Sequence, residues 1–442
     1  MTSIARYLCA CTAFALAAAP VAGAQAGSAI ARRIASAPDG EVRMTYASRP
    51  EACGDGRKVV GMGSSLNIDS SIESYGRWSG VTCVHGPARV DLSLRDHHVV
   101  AIRTHIGGAW TTSSGVALDL GQVPAADAAA YFLSLAQQTD LAPRLNPLLA
   151  AAIADSVNVV PDMLRLARMS SSSRDTRRRA LHWTGALGDA SVVAPLVELA
   201  RADGEGTRVD ADDVGPGDRL QSAAVGALSM IRDGSGVPAL MDLARRGTVN
   251  VRKAAVFWLG QRDEPQARAL VRTVAADERE SETLRGAAIF ALGQGSSATD
   301  ADRTFLRGLF AKLGSERLQD RILMALAQGD DADNADDLRW MLAQARDERV
   351  PLEVRRKAVF WAGQGHVPVA DLVALYRQTH ESRLREHVIF VLSQRDDERA
   401  VQALIDIARS DDDHAMRKKA LFWLAQKDDP RVTKLLTDLV TR

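Results

Sequence analysis

Apolar positions recur along this chain in one repeated phrase. Val251–Gln261 reads VRKAAVFWLGQ, and the phrase returns as VRRKAVFWAGQ at Val354–Gln364 and MRKKALFWLAQ at Met416–Gln426. Looser copies stand at Leu284–Gln294, Leu384–Gln394 and Leu318–Gln328, and earlier at Leu220–Ile231 and Arg178–Gly188. Val251, Ala254, Ala255, Trp258 and Leu259 have the spacing of one face of an amphipathic helix, so each phrase predicts a helix with one buried side. A second helix precedes each phrase. In Gly236–Gln261, Gly236-Val237-Pro238 opens the first helix, where the missing N–H of proline costs little, and Val237, Leu240, Leu243 and Ala244 form its stripe. Arg245-Arg246-Gly247 is expected to end it, with cations at the negative end of the helix dipole and a left-handed glycine, and Asn250 to cap the next helix. Neither helix can bury its stripe alone, so neighbouring units must stack.

The position of Trp258 is taken by Trp183, Ala227, Ala291, Ala325, Trp361, Val391 and Trp423 in the other copies. The steps between successive positions are 44, 31, 33, 34, 36, 30 and 32 residues, and the long one contains Asp203–Asp218, an acidic, Gly-rich insertion expected to be an exposed loop. The rest lie near the period of two-helix repeats.

Upstream the periodicity changes. Over residues 41–120, β-branched and polar residues alternate, predicting short strands at Val42–Tyr46, Val59–Met62, Val81–Val84, Val90–Leu94 and Val99–His105, with a hairpin around Arg95–His98 and turns at Gly107-Gly108 and Gly115. Helical spacing begins at Ala125–Gln137 and continues through Leu141–Ser156 and Pro161–Met169. The order expected is a signal peptide over 1–24, a flexible lead-in over 25–40, a small β-rich region over 41–120, a helical connector or cap over 121–160, and stacked repeats over 161–442.

Composition and charge narrow the partners. The chain has 442 residues with 55 Lys plus Arg against 55 Asp plus Glu, so it lacks the global field that would draw it to nucleic acid or an anionic membrane. Arg6, the apolar run Leu8–Ala19, Pro20 and Ala22-Gly23-Ala24 have the form of a secretory signal, which makes an exported, periplasmic or secreted chain the expectation. That run is shorter than the ~20 residues of a membrane span. With Cys9 and Cys11 inside the signal, Cys53 and Cys83 remain, and in an oxidising compartment they are expected to pair. Closing a loop of that length stabilises by roughly 3–4 kcal/mol in the chain-entropy model.

The aromatics and Gly-Tyr pair of tetratricopeptide first helices and the Thr-Pro-Leu-His of ankyrin repeats are missing. By contrast, Asp347–Ala358 (DERVPLEVRRKA) and Asp413–Ala420 (DHAMRKKA) carry an acidic residue, a short turn, then an apolar residue followed by Arg. This resembles the HEAT repeat, in the short bacterial form that includes the bilin-lyase-like proteins. Arg252, Arg285, Arg355, Arg385 and Arg417 fill the arginine position, whereas Gln221 and Gln319 depart from it, so an arginine-dependent ladder should be interrupted there. The resemblance covers Pro161–Arg442. It implies a mainly α protein, a right-handed α-solenoid of about eight helix pairs with a last helix at Arg431–Val440, whose usual work is binding macromolecules rather than catalysis.

Two features could carry binding. The basic starts of the second helices, including Arg178, Arg252, Lys253, Arg355, Arg356, Lys357, Arg417 and Lys418, would align in a stack as a ridge for an anion or acidic peptide; acidic turns such as Asp263-Glu264 and Asp396-Asp397 offer the competing role of ion pairs between repeats. The aromatics Phe257, Trp258, Phe290, Phe360, Trp361, Phe390, Phe422 and Trp423 either pack the core or line a concave stripe; adjacent helix residues point about 100° apart, so Phe257 and Trp258 cannot share one groove. His85, His97, His98 and His105 cluster in the β-rich region without the convergence a metal needs. H-E-x-x-H, G-x-S-x-G, phosphate-loop and dinucleotide motifs are absent. No cofactor is implied. The expected function is a non-catalytic exported scaffold or adaptor for a protein or peptide. The alternatives are an envelope sensor or assembly factor that recognises through its β-rich region, and an enzyme with a site between that region and the first helices.

Overall fold

The computed structural model describes residues 22–62, 65–66, 83–110, 115–138, 145–202, 219–294, 298–328 and 335–440. Residues 1–21 of the expected signal peptide, the acidic insertion 203–218, the first half of the strand expected at Val81–Val84 and the start of the helix expected at Leu141–Ser156 lie outside the described residues. The chain forms two compact units, Met1–Leu187 and Gly188–Arg442.

The first unit opens with α1 (Ala22–Ala35). Most of the expected lead-in is therefore helical; Ile30 and Ile34 are buried, and α1 packs against α2 (Ala125–Leu135). Seven strands follow α1: β1 (Gly40–Tyr46), β2 (Ala52–Gly54), β3 (Val59–Met62), β4 (Ser65–Leu66), β5 (Ala88–Arg95), β6 (His98–Ile106) and β7 (Val116–Gln122). They form a four-stranded sheet in the order β6-β5-β1-β7 and a small sheet β2-β3-β4. The expected hairpin is β5–β6. Its turn residues Asp96 and His97 have φ of 49° and 58°, the conformation two-residue hairpin turns require. The Asp39 carboxylate accepts both of their N–H groups (2.9 and 3.2 Å), which holds its pKa below the ordinary value. β7, which no expected strand covers, runs parallel to β1. Cys53 and Cys83 form the expected disulfide, with Cα atoms 5.3 Å apart.

The sheet is not a separable domain. Val42, Met44 and Tyr46 of β1 and Val90 and Leu92 of β5 form a fully buried face. The Tyr46 hydroxyl donates to the Ala150 carbonyl at 2.7 Å, in α3 (Pro147–Ala152), and Arg49 Nε donates to Ala152 O at 2.8 Å. These bonds join the 41–120 stretch to the 121–160 stretch in one core. The same unit holds the first helix pair, α4 (Val160–Arg168) and α5 (Arg174–Leu187).

The second unit is an α-solenoid of seven further pairs: α6 (Val193–Arg201) with α7 (Leu220–Met230), α8 (Val237–Arg246) with α9 (Val249–Gly260), α10 (Pro265–Ala276) with α11 (Glu282–Leu292), α12 (Asp300–Phe310) with α13 (Glu316–Ala327), α14 (Ala335–Arg346) with α15 (Leu352–Gln364), α16 (Val369–Gln378) with α17 (Ser382–Ser393), and α18 (Glu398–Ser410) with α19 (His414–Leu424), closed by α20 (Pro430–Val440). Two local details differ from expectation. Gly247 has φ of −73° and is not left-handed, because the chain leaves α8 extended rather than coiling back. α9 already begins at Val249, so Thr248 rather than Asn250 is the residue that precedes it.

From α7 to α19, successive second helices lie against one another, whereas the first helices touch their neighbours only sparingly. The second-helix layer is thus the tighter side of the stack. Small residues permit this. A Cβ on Gly293 would stand 2.4 Å from Ala325 Cβ and 2.8 Å from its Cα, and one on Gly260 would stand 2.7 Å from the Ala291 carbonyl oxygen. The first-helix layer is instead joined by charge. The wholly buried Asp302 of α12 accepts from Arg268 (2.6 Å) and Arg272 (2.7 Å) of α10; Asp337 of α14 accepts from Arg303 (2.7 Å) and forms a longer ion pair with Arg307 (3.4 Å), both of α12. Burial alone would raise the Asp302 pKa, but the Thr299 hydroxyl and the two guanidiniums outweigh it and hold the carboxyl below its usual range. At Asp337 burial prevails over its arginines and the value is raised.

Two substitutions test these contacts. Gly293→Ala should destabilise the protein by about 1–3 kcal/mol despite the better helix propensity of alanine, because backbone must shift; unchanged urea unfolding would show that the layer tolerates a wider spacing. Asp302→Ala leaves two arginines facing a buried site and should cost about 3–5 kcal/mol in the same measurement.

Candidate peptide-binding face

The signature arginine of each repeat faces inward. A helix ends with carbonyls that have no intrahelical partner, and in most repeats the side chain at this position supplies a donor; Arg385 instead donates to the Tyr376 hydroxyl (3.0 Å) and to Asp411. Arg177 Nε donates to Ala167 O (2.9 Å), Arg252 to Ala244 O (2.8 Å), Arg285 to Ala275 O (3.2 Å) and Arg355 to Ala345 O (2.8 Å), each at the end of the preceding first helix. Arg417 reaches Asp411 O through Nη1 at 2.5 Å. The two glutamines do not interrupt this ladder: Gln319 Nε2 donates to Phe310 O (3.2 Å) and Gln221 Nε2 to Ala202 O (3.3 Å). An amide serves because the acceptor is a neutral carbonyl; only the charge is lost. In α9 and α17 the arginine's charge reaches the next repeat. Arg252 grips Glu280 with two nitrogens, and Arg385 binds Asp411 at 2.6 Å while lying over the Tyr376 ring at 4.6 Å.

The eight cations expected to form a ridge are therefore split. Arg355 and Lys253 are buried and Arg252 is half-buried in its contacts with Ala244 and Glu280. Arg417 is tied to turn carbonyls, and Arg178 belongs to the first unit. Lys357 pairs with Asp320 of the preceding repeat (3.1 Å) and Arg356 with Glu353 (2.9 Å). Lys418 is exposed, and its neighbour Lys419 pairs with Glu386 of the preceding repeat (3.4 Å). Ion pairs between repeats consume the charge, and no continuous basic ridge forms.

The aromatic positions separate as their 100° offset requires. The tryptophans lean on the preceding repeat: Trp258 rests on Gly226, where a Cβ would stand 3.1 Å from its Nε1, Trp361 Nε1 donates to Asp320 at 2.9 Å, and the Trp423 ring is 5.4 Å from that of Phe390. The phenylalanines face away from the first helices. Phe257, Phe290, Phe360 and Phe390 are half-buried, and Phe422 is 59% exposed. Met324 takes the place in α13. The rings of Phe257 and Phe290 stack, with centroids 6.3 Å apart.

Four residues beyond each of these positions, one helical turn on, stands a glutamine: Gln261, Gln294, Gln328, Gln364, Gln394 and Gln426. Gln294 Nε2 donates to Gln328 Oε1 of the next repeat at 3.2 Å, which shows the column in register. Gln328, Gln364, Gln394 and Gln426 are exposed. In the sequence this glutamine is the last residue of the repeated phrase. The signal that could have identified it was its recurrence in six copies at a position facing away from the buried stripe.

His387 lies on the same face, with its ring 5.6 Å from that of Phe390. Burial first, and then the charge of Arg356, push its pKa down to about 4, against the partial opposition of Glu353. The histidines of the β-rich region stay apart. His97 is in the hairpin turn, His98 starts β6, His85 Nδ1 meets Ala52 O (3.0 Å), and His105 Nε2 meets Asp91 (2.9 Å). Among the described residues no group of three or more His, Cys, Asp or Glu side chains could hold a metal ion.

The fold defines a mainly helical protein of the α-solenoid class, with a small N-terminal sheet. A family model for HEAT repeats matches residues 215–293 and 351–425. No curated protein matches the chain. Among solved structures it is similar to a chain in the structure of Kap95p bound to RanGDP, with 12% sequence identity and a TM-score of 0.35, covering 72% of this chain and 49% of that one. This chain thus spans about half the length of that neighbour.

His387 gives the face a pH dependence. Its folded pKa of about 4 lies below the ordinary 6.5, so between these values the unfolded chain binds the proton and stability falls as pH drops. From pH 7 to pH 5 the Tm of the protein should fall more steeply than that of His387→Gln; parallel slopes would show that the ring titrates normally.

Proposed function

We propose that this protein is an exported, non-catalytic scaffold that binds an extended peptide segment of a partner protein along the second-helix face of its second unit. The observation that carries the reading is the double column on that face, incompletely buried phenylalanines and, one turn on, carboxamides, one of each per repeat from α9 to α19 apart from Met324. A glutamine side chain both donates and accepts, so it can pair with either polar group of a peptide backbone. Packed helices stand ~8–10 Å apart and an extended chain rises ~3.3 Å per residue, so each carboxamide would meet about every third residue, with side chains between them resting on the phenylalanines. The paired charges Lys357–Asp320 and Lys419–Glu386 leave the middle of the face near neutrality, which favours backbone and apolar contacts over capture of an acidic peptide. Export is supported by the Leu8–Ala19 signal-like segment and by the Cys53–Cys83 disulfide, a bond that persists in oxidising compartments.

Phage display tests this with the whole mature chain and random peptides of about 18 residues, enough for six repeats at roughly three residues each. The protein should enrich peptides with spaced apolar residues. A variant carrying Phe360→Ser and Phe390→Ser should lose their capture at least about tenfold, a loss of roughly 1.4 kcal/mol or more, while its far-ultraviolet circular dichroism is unchanged. Full capture by the folded variant would refute the face as the binding surface.

A further inference from the structure

The double column does not end at a flat surface. At its C-terminal end a cleft of about 540 Å³ opens between the last two repeats, and Gln394, Trp423 and Gln426 form one side of it. Two of these are members of the glutamine column, and Trp423 stands beside Phe390, so the cleft continues the face already described. Apart from Ser393 and Val401, its remaining lining is charged. Asp396, Asp397, Glu398, Asp428 and Asp429 line it against Lys427 and Arg431, five carboxylates to two cations. Both cations are engaged: Lys427 Nζ lies 3.1 Å from Asp396 and from the Arg395 carbonyl, and Arg431 pairs with Asp429 at 2.7 Å. The Asp429 carboxyl is held below its usual pKa by Arg431. Three negative charges are then in excess, spread over Asp397, Glu398 and Asp428, with Arg431 also within electrostatic reach of Glu398. Asp397 is fixed in place as the cap of α18, accepting the Arg399 N–H at 2.8 Å.

We infer that this cleft receives a lysine or arginine side chain of the bound peptide, with its stem against Trp423 and its charge among Asp397, Glu398 and Asp428. The inference rests on the peptide-binding reading above and adds the partner's chemistry: an extended segment that is apolar where it crosses the phenylalanines and basic where it leaves them. Two features argue for a cationic side chain rather than an anion or an apolar group. The carboxylates outnumber the cations, and a tryptophan wall attracts cations through its ring face. The cleft also exceeds what one water needs and suits a long side chain with its hydration. Aliphatic stems lie readily along aromatic surface while their charged ends stay among polar groups.

The same random library provides the test. Peptides selected by the unaltered chain should show lysine or arginine at one fixed position relative to their apolar residues. Asp397→Asn with Asp428→Asn removes two charges at nearly constant shape and leaves a side chain able to cap α18. That variant should keep the apolar pattern, lose the basic preference, and bind a synthetic copy of the best peptide about tenfold more weakly. Its affinity for the same peptide with the basic residue changed to glutamine should match that of the unaltered chain. Apolar peptides selected with no basic preference, or a preference that survives in the variant, would overturn the inference while leaving the peptide-binding face standing. Capture of no peptide by the unaltered chain would overturn both.

Discussion

The structure depends on one recurrent hydrogen bond, from an arginine or glutamine near the start of most second helices to a carbonyl at the end of the helix before it. A two-helix unit has few ways to fix its own angle, because each helix presents only a stripe and both stripes are wanted by neighbours. A guanidinium that satisfies the orphan carbonyls of its own first helix sets that angle locally. Where its remaining nitrogens reach an acid in the following repeat, as Arg252 reaches Glu280 and Arg385 reaches Asp411, the same side chain also sets the step between units. Two layers of different spacing follow. Second helices close in over Gly260 and Gly293, and first helices are held by the buried carboxylates Asp302 and Asp337 between paired arginines. A stack whose two layers differ in spacing bends toward the tighter one, which carries the phenylalanines and glutamines.

Much of this was legible in the sequence because a repeat shows the same physical demand many times. Period, helix pairing and the inward tryptophans follow from spacing alone. The meaning of Gln221 and Gln319 did not: the arginine pattern suggested a charge-dependent ladder, whereas the acceptor is a carbonyl that any N–H can satisfy. The β-rich region was harder because nothing in it repeats. Strands with clear alternation were readable, but the pairing of β7 beside β1 is non-local, and the bonds from Tyr46 and Arg49 into α3 cross about 100 residues of sequence. Ile30 and Ile34 fall in the stretch expected to be a flexible lead-in; they are buried in α1, which packs against α2.

The basic residues show how a charge pattern can mislead. Basic clusters at the start of α5, α9, α15 and α19 suggest an anion-binding ridge if each is treated as solvent-facing. In a stack, adjacent positions on one helix face different environments. The first cation of a cluster turns into the helix pair, and the next ones meet carboxylates of the preceding repeat, as Lys357 meets Asp320 and Lys419 meets Glu386. Charge that is spent on stacking cannot also attract a ligand at long range. Beside α18 the balance differs, because five carboxylates meet two cations in the cleft at Trp423. On the proposed reading, a near-neutral track for a peptide backbone there adjoins a site with excess negative charge. A partner read in this way would be positioned by its backbone and apolar side chains, and its register along the track would be set by the one site that discriminates charge.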